Sequence, residues 1–442
     1  MMTNRFNAVA AALLGALVLA QTAPVSTQSV PGTPVPGVIV DGKPVQVISG
    51  RVRGAITLTN DRHWVLRGAV FVEDGATLNI QPGTRVVGEA GSVGTLVVLR
   101  GGRLNAIGTR ENPIVFTSDQ APGRRARGDW GGLILNGRAP VNLTGGEGEG
   151  EADTGIFGGT DEDDSSGILR YVRVEFAGTE FSPDNELNGI AFQGTGRRTE
   201  VDYVQVHMSK DDGLEFFGGT TDARHVVLTN VGDDSLDWTF GWRGRMQFVV
   251  VSQRGDDADN GIEADNNEFN NELLPRANPA IYNITMCGDP DLTEGAESAR
   301  GALFRRGTAV TFRNFVIQGF KVVGMEINGS STLSQVANGT TRIDAGVLTG
   351  NLAGNAHSSV TPQVASGRFS NVRVGVDAGI GNCFDHAAPD WRPRGVATLA
   401  GGQLAPFQPP NDGFFEPVTF IGGVGPLPEH DWISGWTAFP QD

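Results

Sequence analysis

This chain of 442 residues is poor in sulfur, poor in tyrosine and short of positive charge, with 2 Cys, 6 Met, 3 Tyr and a formal net charge of −16. The charge balance argues against nucleic-acid binding, which needs a basic face. It is compatible with cation binding and high solubility. No stretch sustains a period of 3.6 residues, so no substantial helix is expected. After the N-terminus no apolar run is long enough to span a bilayer, and no transmembrane segment is expected in the mature chain. The six histidines, at 63, 207, 225, 357, 386 and 430, form no metal-ligand spacing, and no zinc site is supported. There is no nucleophile elbow and no dinucleotide fingerprint, and the GTGRR turn at Gly194 is too short for a phosphate loop. The two cysteines, Cys287 and Cys383, are expected to be bridged if the chain is exported. The alternative, a catalytic thiol, has no neighbouring His–Cys pattern behind it.

What is present begins with an export signal. Residues 1–20 read as a signal peptide, with Arg5 as the positive start, Ala8 to Leu19 as the apolar run and Val18-Leu19-Ala20 as the cleavage site. No Cys follows the run, so a lipidated N-terminus is not supported. Residues 21–45 read as a flexible leader, 46–413 as the folded body and 414–442 as a C-terminal capping segment. The expected location is the outer-membrane surface, the periplasm or the extracellular space.

The 63 glycines, without a collagen period, indicate a turn-dense all-β protein. From Ile56 short apolar runs such as WVLRGAVFV and ATLNIQPGTRVV alternate with Gly, Asn and Asp, a strand pattern. An internal repeat selects the architecture. NGIAFQG, DGLEFFGG, DSLDWTFG and NGIEADN recur at intervals of 22 to 26 residues between Asn188 and Asn266. That interval fits one coil of a parallel β-helix and is too short for a propeller blade. Right-handed coils follow from the crossover rule. Ile190, Leu214, Leu236 and Ile262 form one apolar column, and Phe192, Phe216, Trp238 and Ala264 another. Ala191, Glu215, Asp237 and Glu263, lying between them, must point the other way. Leu303 and Glu326 continue this outward column. Gly145 to Gly167, Asn266 to Pro290 and Ser330 to Pro362 break the rhythm and are expected to be loops leaving the coil. Phe414, Phe415, Trp432 and Trp436 are the candidates to cap an exposed solenoid end.

The outward column carries the candidate chemistry. Glu215, Asp237 and Glu263 stack on adjacent coils, so their carboxylates should fall within roughly 5 Å of one another. Asp211, Asp233 and Asp259 repeat four positions earlier. Asp212 and Asp234 occupy the turn column with Asn188 and Asn260, and Asp256, Asp257 and Asp265 add to the cluster. Crowded like charges raise one another's pKa, and a hard cation with oxygen ligands, Ca²⁺ above all, would offset the repulsion. The competing reading is a solvated ladder neutralised by Lys210, Arg243, Arg245, Arg254 and Arg305. A third reading is enzymatic: a polysaccharide lyase or glycoside hydrolase using Asp237, Glu263 and Arg243. Phe217 and Trp242 are candidate sugar platforms, although packing suits each. The eight carboxylates between Glu147 and Asp164 have no Ca²⁺-loop spacing and read as a solvated loop.

VGDDSLDW resembles the Gly-Asp-Asp stretch of β-helical polygalacturonases, whose Asn-Thr-Asp, His-Gly and Arg-Ile-Lys elements are missing from this chain. ATLNIQPGT, LVVLRGGRLNAIGTRENPIVFTS, GDWGGLILNGRAPVN, DDGLEFFGGT, DDSLDWTFGWRGRMQF and GIEADN resemble a family of exported bacterial β-helix proteins that includes a leptospiral outer-membrane lipoprotein. That resemblance, over about Ile56 to Asn266 and the aromatic tail, implies a right-handed parallel β-helix at or outside the cell envelope. It carries no reaction and no catalytic residues, and it implies an outer-membrane receptor as a partner, beside the polysaccharide suggested by the acidic face.

Overall fold

The computed structural model describes residues 32–182, 185–295, 297–394 and 404–442. The expected signal peptide and the leader up to residue 31 lie outside the described residues. The body is a right-handed parallel β-helix, one continuous sheet of 24 strands wound into coils. Each coil contributes to three ladders. The first ladder runs through Thr95–Val98, Gly132–Asn136, Ile190–Gln193, Leu214–Phe217, Leu236–Thr239, Asn260–Ala264, Arg300–Phe304 and Val323–Ile327. The second and third ladders share longer strands, such as Glu200–His207, Asp222–Thr229, Arg245–Ser252 and Ala280–Cys287. Each of these bends at one corner residue.

That corner has a physical signature. Tyr171, Tyr203, His225, Phe248, Asn283, Asn314, Ala345 and Asn371 all hold positive φ, between 51° and 61°. A non-glycine residue there is strained, and stacking along the column offsets the cost. Ring centroids lie 4.4 Å apart for Tyr171–Tyr203, 4.2 Å for Tyr203–His225 and 5.1 Å for His225–Phe248. Asparagines take over at Asn283 and Asn314, a residue type that tolerates this conformation.

The corner also explains two departures from expectation. Asn266 to Pro290 contains the coil strand Ala280–Cys287, and Ser330 to Pro362 contains the coil strand Arg342–Thr349 and the helix Ser330–Ala337. In AIYNITMC and RIDAGVLT the mid-strand Asn283 and Ala345-Gly346 look like breaks in a strand. They are the corner itself.

The aromatic tail does not cover the solenoid end. It runs back along the side of the coil, over the corner column. Asn314 Nδ2 donates to Phe407 O at 2.8 Å, Asn283 Nδ2 to Phe420 O at 3.1 Å, and His207 Nε2 lies 2.7 Å from Pro440 O. Asp442 ends beside Arg125 at 2.5 Å. Trp436 is buried edge-on to Tyr171 and Tyr203. The C-terminal end is closed instead by Val360 and Phe369, with Leu333 and Val364, which pack on the core. His357 N fastens that segment to Met325 O at 3.0 Å. At the other end Thr33–Val40, inside the expected leader, pairs antiparallel with Lys43–Val52 and shields the first coil's edge. Cys287 and Cys383 are joined in a disulfide across a sequence separation of 96, which ties the third ladder to the segment that leads into the tail.

Candidate functional site

The first ladder stacks in the register read from the repeat: Ile190 on Leu214 on Leu236 on Ile262, and Ala191 on Glu215 on Asp237 on Glu263. Leu303 and Glu326 follow in the same outward column. The apolar columns face the core, where Phe192 and Phe216 stack at 4.9 Å.

Outward does not mean solvated. At the N-terminal end of this face Val97, Ile134 and Ala191 lie under Val141, Phe157 and Leu187. The Gly145–Gly167 insertion supplies part of that cover as the hairpin Glu147–Glu149 with Ile156–Gly158. It is therefore not the freely solvated loop expected. Phe217 belongs to the same covered cluster. Trp242 lies in the core, stacked on Phe216 at 4.1 Å. Neither ring is a sugar platform. Covered in this way, Glu215 keeps only 9% of its surface.

Eight carboxylates converge on this seam, Asp212, Glu215 and Asp234 buried and the other five half-buried, in four overlapping triads: Asp211, Asp212 and Asp233; Asp212, Glu215 and Asp237; Asp233, Asp234 and Asp259; Asp234, Asp237 and Glu263. Within each triad the ligand oxygens lie within 4.8 Å of one another. Two oxygens that share a Ca²⁺ at 2.3–2.6 Å are at most about 5 Å apart, so the spacing fits that ion. Three buried oxygens beside the seam, Asp237 Oδ1, Asn188 Oδ1 and Asn260 Oδ1, have no hydrogen-bond partner. Such groups are costly to bury unpaired.

The turn column has a structural task as well. Asp212 Oδ1 accepts from the Asp234 amide at 3.0 Å, and Asp234 Oδ1 accepts from the Asn260 amide at 2.6 Å. Each Asp thus holds the same position of the next coil with one oxygen. Asn188 Nδ2 donates to Glu215 Oε2 at 2.6 Å, and Asn260 Nδ2 to Asp259 Oδ2 at 2.8 Å.

The cations expected to neutralise the seam are mostly elsewhere. Arg243 reaches Glu162 at 3.0 Å, and Arg245 reaches Asp222 and Asp412. Both leave the first ladder through the following turn, so Arg243 is not placed to act as a base here. Lys210 pairs with Asp257 at 2.7 Å, and Arg127 with Asp256 at 3.1 Å. Those two carboxylates are therefore spoken for. Asp265 also stands apart from the triads, held by Arg305 at 2.9 Å and Arg306 at 2.7 Å. Among the described residues Arg305, through Glu263, makes the one ion pair to the eight.

Electrostatics follow from burial and crowding. Burial, then repulsion from like charges, pushes Asp212, Glu215, Asp234 and Asp237 well above the usual carboxylate range. Asp211 shifts the same way, by burial first and then by Glu186. Asp233 rises to about 6 and Glu263 to about 7, burial leading in both. Two groups missed in the sequence join this field. Glu151, from the insertion, is raised to about 7 by burial and by Glu186. The acidic composition of the insertion was visible, but only folding shows that Glu151 turns onto the seam. By contrast Glu326, in the same outward column, is bonded to Arg300 and Asn328 and sits below its ordinary value.

The donor set is carboxylate oxygen throughout, with no histidine or cysteine in any triad among the described residues. This suits hard cations over zinc or copper. Neither a curated protein nor a solved structure matches the chain. Residues 50–393 match a family described as a pectate-lyase-like β-helix domain. That span takes in all three ladders and the whole acidic seam, and by it the chain belongs to the pectate-lyase-like β-helix family.

Proposed function

We propose that this is an exported β-helix protein that works by binding rather than catalysis, and that its acidic seam holds Ca²⁺. The observation that carries the reading is the set of eight carboxylates, four triads deep, with one arginine among them. Left ionised without a counter-charge, the buried Asp212, Glu215 and Asp234 would cost several kcal/mol of stability. Protonation or a divalent cation removes that cost, and only the cation uses the spacing. Asp211, Asp212, Glu215, Asp233, Asp234, Asp237, Asp259 and Glu263 would hold it. Export to the envelope rests on the N-terminal signal and the lipoprotein resemblance. Among the described residues no helix is long and apolar enough to cross a membrane. An outer-membrane receptor or a polysaccharide is the partner this reading allows.

Calorimetric titration of Ca²⁺ into chelator-stripped protein is the test. Heat and a rise in melting temperature are expected, both lost in the Asp237→Asn, Glu263→Gln double variant. Absence of both in the native protein would remove the metal from the proposal.

A second reading, a lyase or hydrolase acting on an acidic polysaccharide, draws on the family and on carboxyls such as Glu263, raised to about 7 and suited to general-acid work. It lacks a base: Arg243 is turned away, and Arg305 is held by Glu263 and Asp265 with its pKa raised further. Release of unsaturated products or new reducing ends from acidic polysaccharides, abolished by the same double variant, would establish it over the binding reading.

A further inference from the structure

Four asparagines head the tripeptide Asn-x-Ser/Thr with x other than proline: Asn142-Leu143-Thr144, Asn283-Ile284-Thr285, Asn328-Gly329-Ser330 and Asn338-Gly339-Thr340. In an exported chain this tripeptide is the acceptor for an N-linked oligosaccharide, and its asparagine must stand at the surface to carry one. The fold sorts the four. Asn142 and Asn283 are buried. Asn142 Nδ2 donates to Asn266 Oδ1 at 2.9 Å and to Pro275 O at 3.1 Å. Asn283 Nδ2 donates to Phe420 O at 3.1 Å and to Gly422 O at 3.2 Å, beneath the tail. A sugar on either nitrogen would break these bonds and leave buried acceptors unpaired. Asn328 and Asn338 are exposed and flank the helix Ser330–Ala337.

Local freedom separates these two. Asn338 caps the helix, its N–H donating to Ser334 O at 3.0 Å. Its Oδ1 accepts from Thr340 N at 2.9 Å and from Thr340 Oγ1 at 2.7 Å. The motif requires a hydroxyl at this position, and here the hydroxyl is already spent on the asparagine itself. Asn328 is tied to the coil by its N–H, which donates to Phe304 O at 2.7 Å. Gly329 follows at φ +81°, and a Cβ there would meet nothing within 4 Å. The turn therefore stands clear of the coil. The helix beyond it has 8 residues and no side-chain cap at its N-terminus. Helices shorter than about 12 residues are marginal on their own, so its first turn opens readily to a transferase.

Charge separates them as well. Glu326 lies two positions before Asn328, where Pro140, Ile281 and Val336 precede the other three asparagines. A carboxylate there offers a transferase a charge-assisted contact beside the acceptor amide. In the finished fold Glu326 is buried, bonded to Arg300 at 2.9 Å and to Asn328 Nδ2 at 3.0 Å. Its strand, Val323–Ile327, pairs with Arg300–Phe304, and among the described residues no further strand of the first ladder follows it. Transfer therefore precedes the docking of this last rung, and the finished fold leaves the product outside.

We propose that Asn328 is an N-glycosylation site, selected over Asn338 by Glu326. The co-substrate is an oligosaccharide joined through C1 to a polyprenyl diphosphate. The C1–O bond breaks, a C1–Nδ2 bond forms, the diphosphate leaves with the electron pair, and the Nδ2 proton passes to a base of the transferase. The proposal rests on the export reading and is independent of the metal. For the test, the full chain is produced in a bacterium carrying an acid-dependent oligosaccharyltransferase and its lipid-linked oligosaccharide. One form keeps its own N-terminus, and a second has residues 1–20 replaced by an established secretion signal. Glycopeptide mass spectrometry reads occupancy. The second form is expected to carry one glycan, on Asn328, lost in Asn328→Gln, Ser330→Ala and Glu326→Gln. An unchanged melting temperature of Ser330→Ala would show that the sugar, and not the fold, was lost. A glycan on the second form alone would support the site and overturn only the export reading. An unmodified Asn328 in the second form, beside a co-produced acceptor peptide that is modified, would overturn the proposal. So would equal occupancy of Asn338, or undiminished occupancy in Glu326→Gln.

Discussion

Burial of the acidic seam makes a signed prediction about pH. A carboxyl whose folded pKa lies above its unfolded value favours the folded state below the unfolded pKa. That contribution is lost as pH rises through the folded pKa. Asp233 at about 6 and Glu263 at about 7 therefore place a loss of stability between about pH 4 and pH 7, and the deeper members of the seam extend it upward. One pKa unit is worth about 1.4 kcal/mol. Because the groups titrate as a set, the shift is charged once, at roughly 3 kcal/mol. A body of roughly 400 residues unfolds with an entropy near 0.85 kcal/mol per kelvin. The seam's contribution to the melting temperature in EDTA should thus fall by about 3–4 °C between about pH 4.5 and pH 7.5. Ca²⁺ should erase that fall, since saturation at a hundredfold excess over Kd restores about 2.7 kcal/mol. His207, whose pKa burial lowers to about 4, has the opposite sign and gains stability as pH rises towards the free imidazole value. It acts equally with and without the ion, so the difference between the Ca²⁺ and EDTA curves cancels it. The assay is differential scanning calorimetry over that pH range in both media. An EDTA curve that is flat or rising, with a Ca²⁺ curve lying on top of it, would refute the burial argument and the metal site together.

Asp237→Asn removes a buried charge and a ligand at once. In EDTA at pH 8.5 it should raise the melting temperature by about 1–3 °C, while Ca²⁺ affinity by calorimetry falls at least tenfold. Asp234→Asn keeps an acceptor for the Asn260 amide, whereas Asp234→Ala leaves that amide unpaired. Denaturant unfolding should find Ala less stable than Asn by about 1–3 kcal/mol, with or without Ca²⁺. Trp436→Ala empties the contact between the tail and the Tyr171–Tyr203 stack. It should cost about 3–5 kcal/mol and expose the tail to limited proteolysis, and a cost below 1 kcal/mol would show that the tail is loosely attached. Replacing both Cys287 and Cys383 by Ser frees a loop spanning 96 positions; unfolding should register a loss of up to about 4–5 kcal/mol.

The coil was legible because stacking in a parallel ladder leaves the pattern little freedom. Strand side chains alternate, so a slip of one residue would turn Leu214 and Leu236 out of the core and Glu215 and Asp237 into it. Four copies of the strand therefore set the register, and Leu303 and Glu326 follow it through two more rungs. The tail and the insertions were harder because their partners are distant in sequence. Nothing local in LPEHDWISGWTAFPQD says that Trp436 will meet Tyr203, and nothing local around Phe407 or Phe420 says that the corner asparagines will bond the main chain there. The same limit applies to Arg243 and Glu151. A residue's place along the chain told which column Glu215 joins. It did not tell that the turn after the strand carries Arg243 towards Glu162, or that an insertion well upstream, beginning at Gly145, lays Glu151 over the seam.

The two acidic columns differ in what folding explains. In the turn column, Asp212 and Asp234 each spend one oxygen on the next coil's amide, so an Asx ladder is reason enough for those residue types. The bond also fixes the carboxylate plane and so aims the second oxygen at the seam. In the strand column Glu215 has an asparagine partner, Glu263 an arginine, and Asp237 Oδ1 nothing at all. A leucine would pack at position 237 as one does at 303, further along the same outward column, where Leu303 keeps 7% of its surface. An aspartate there, between two more carboxylates and with its Oδ1 buried, lowers the stability of the fold unless something outside the chain binds it. The turn column supplies oriented oxygens and the strand column supplies unpaired charge. A divalent cation is the simplest partner that uses both.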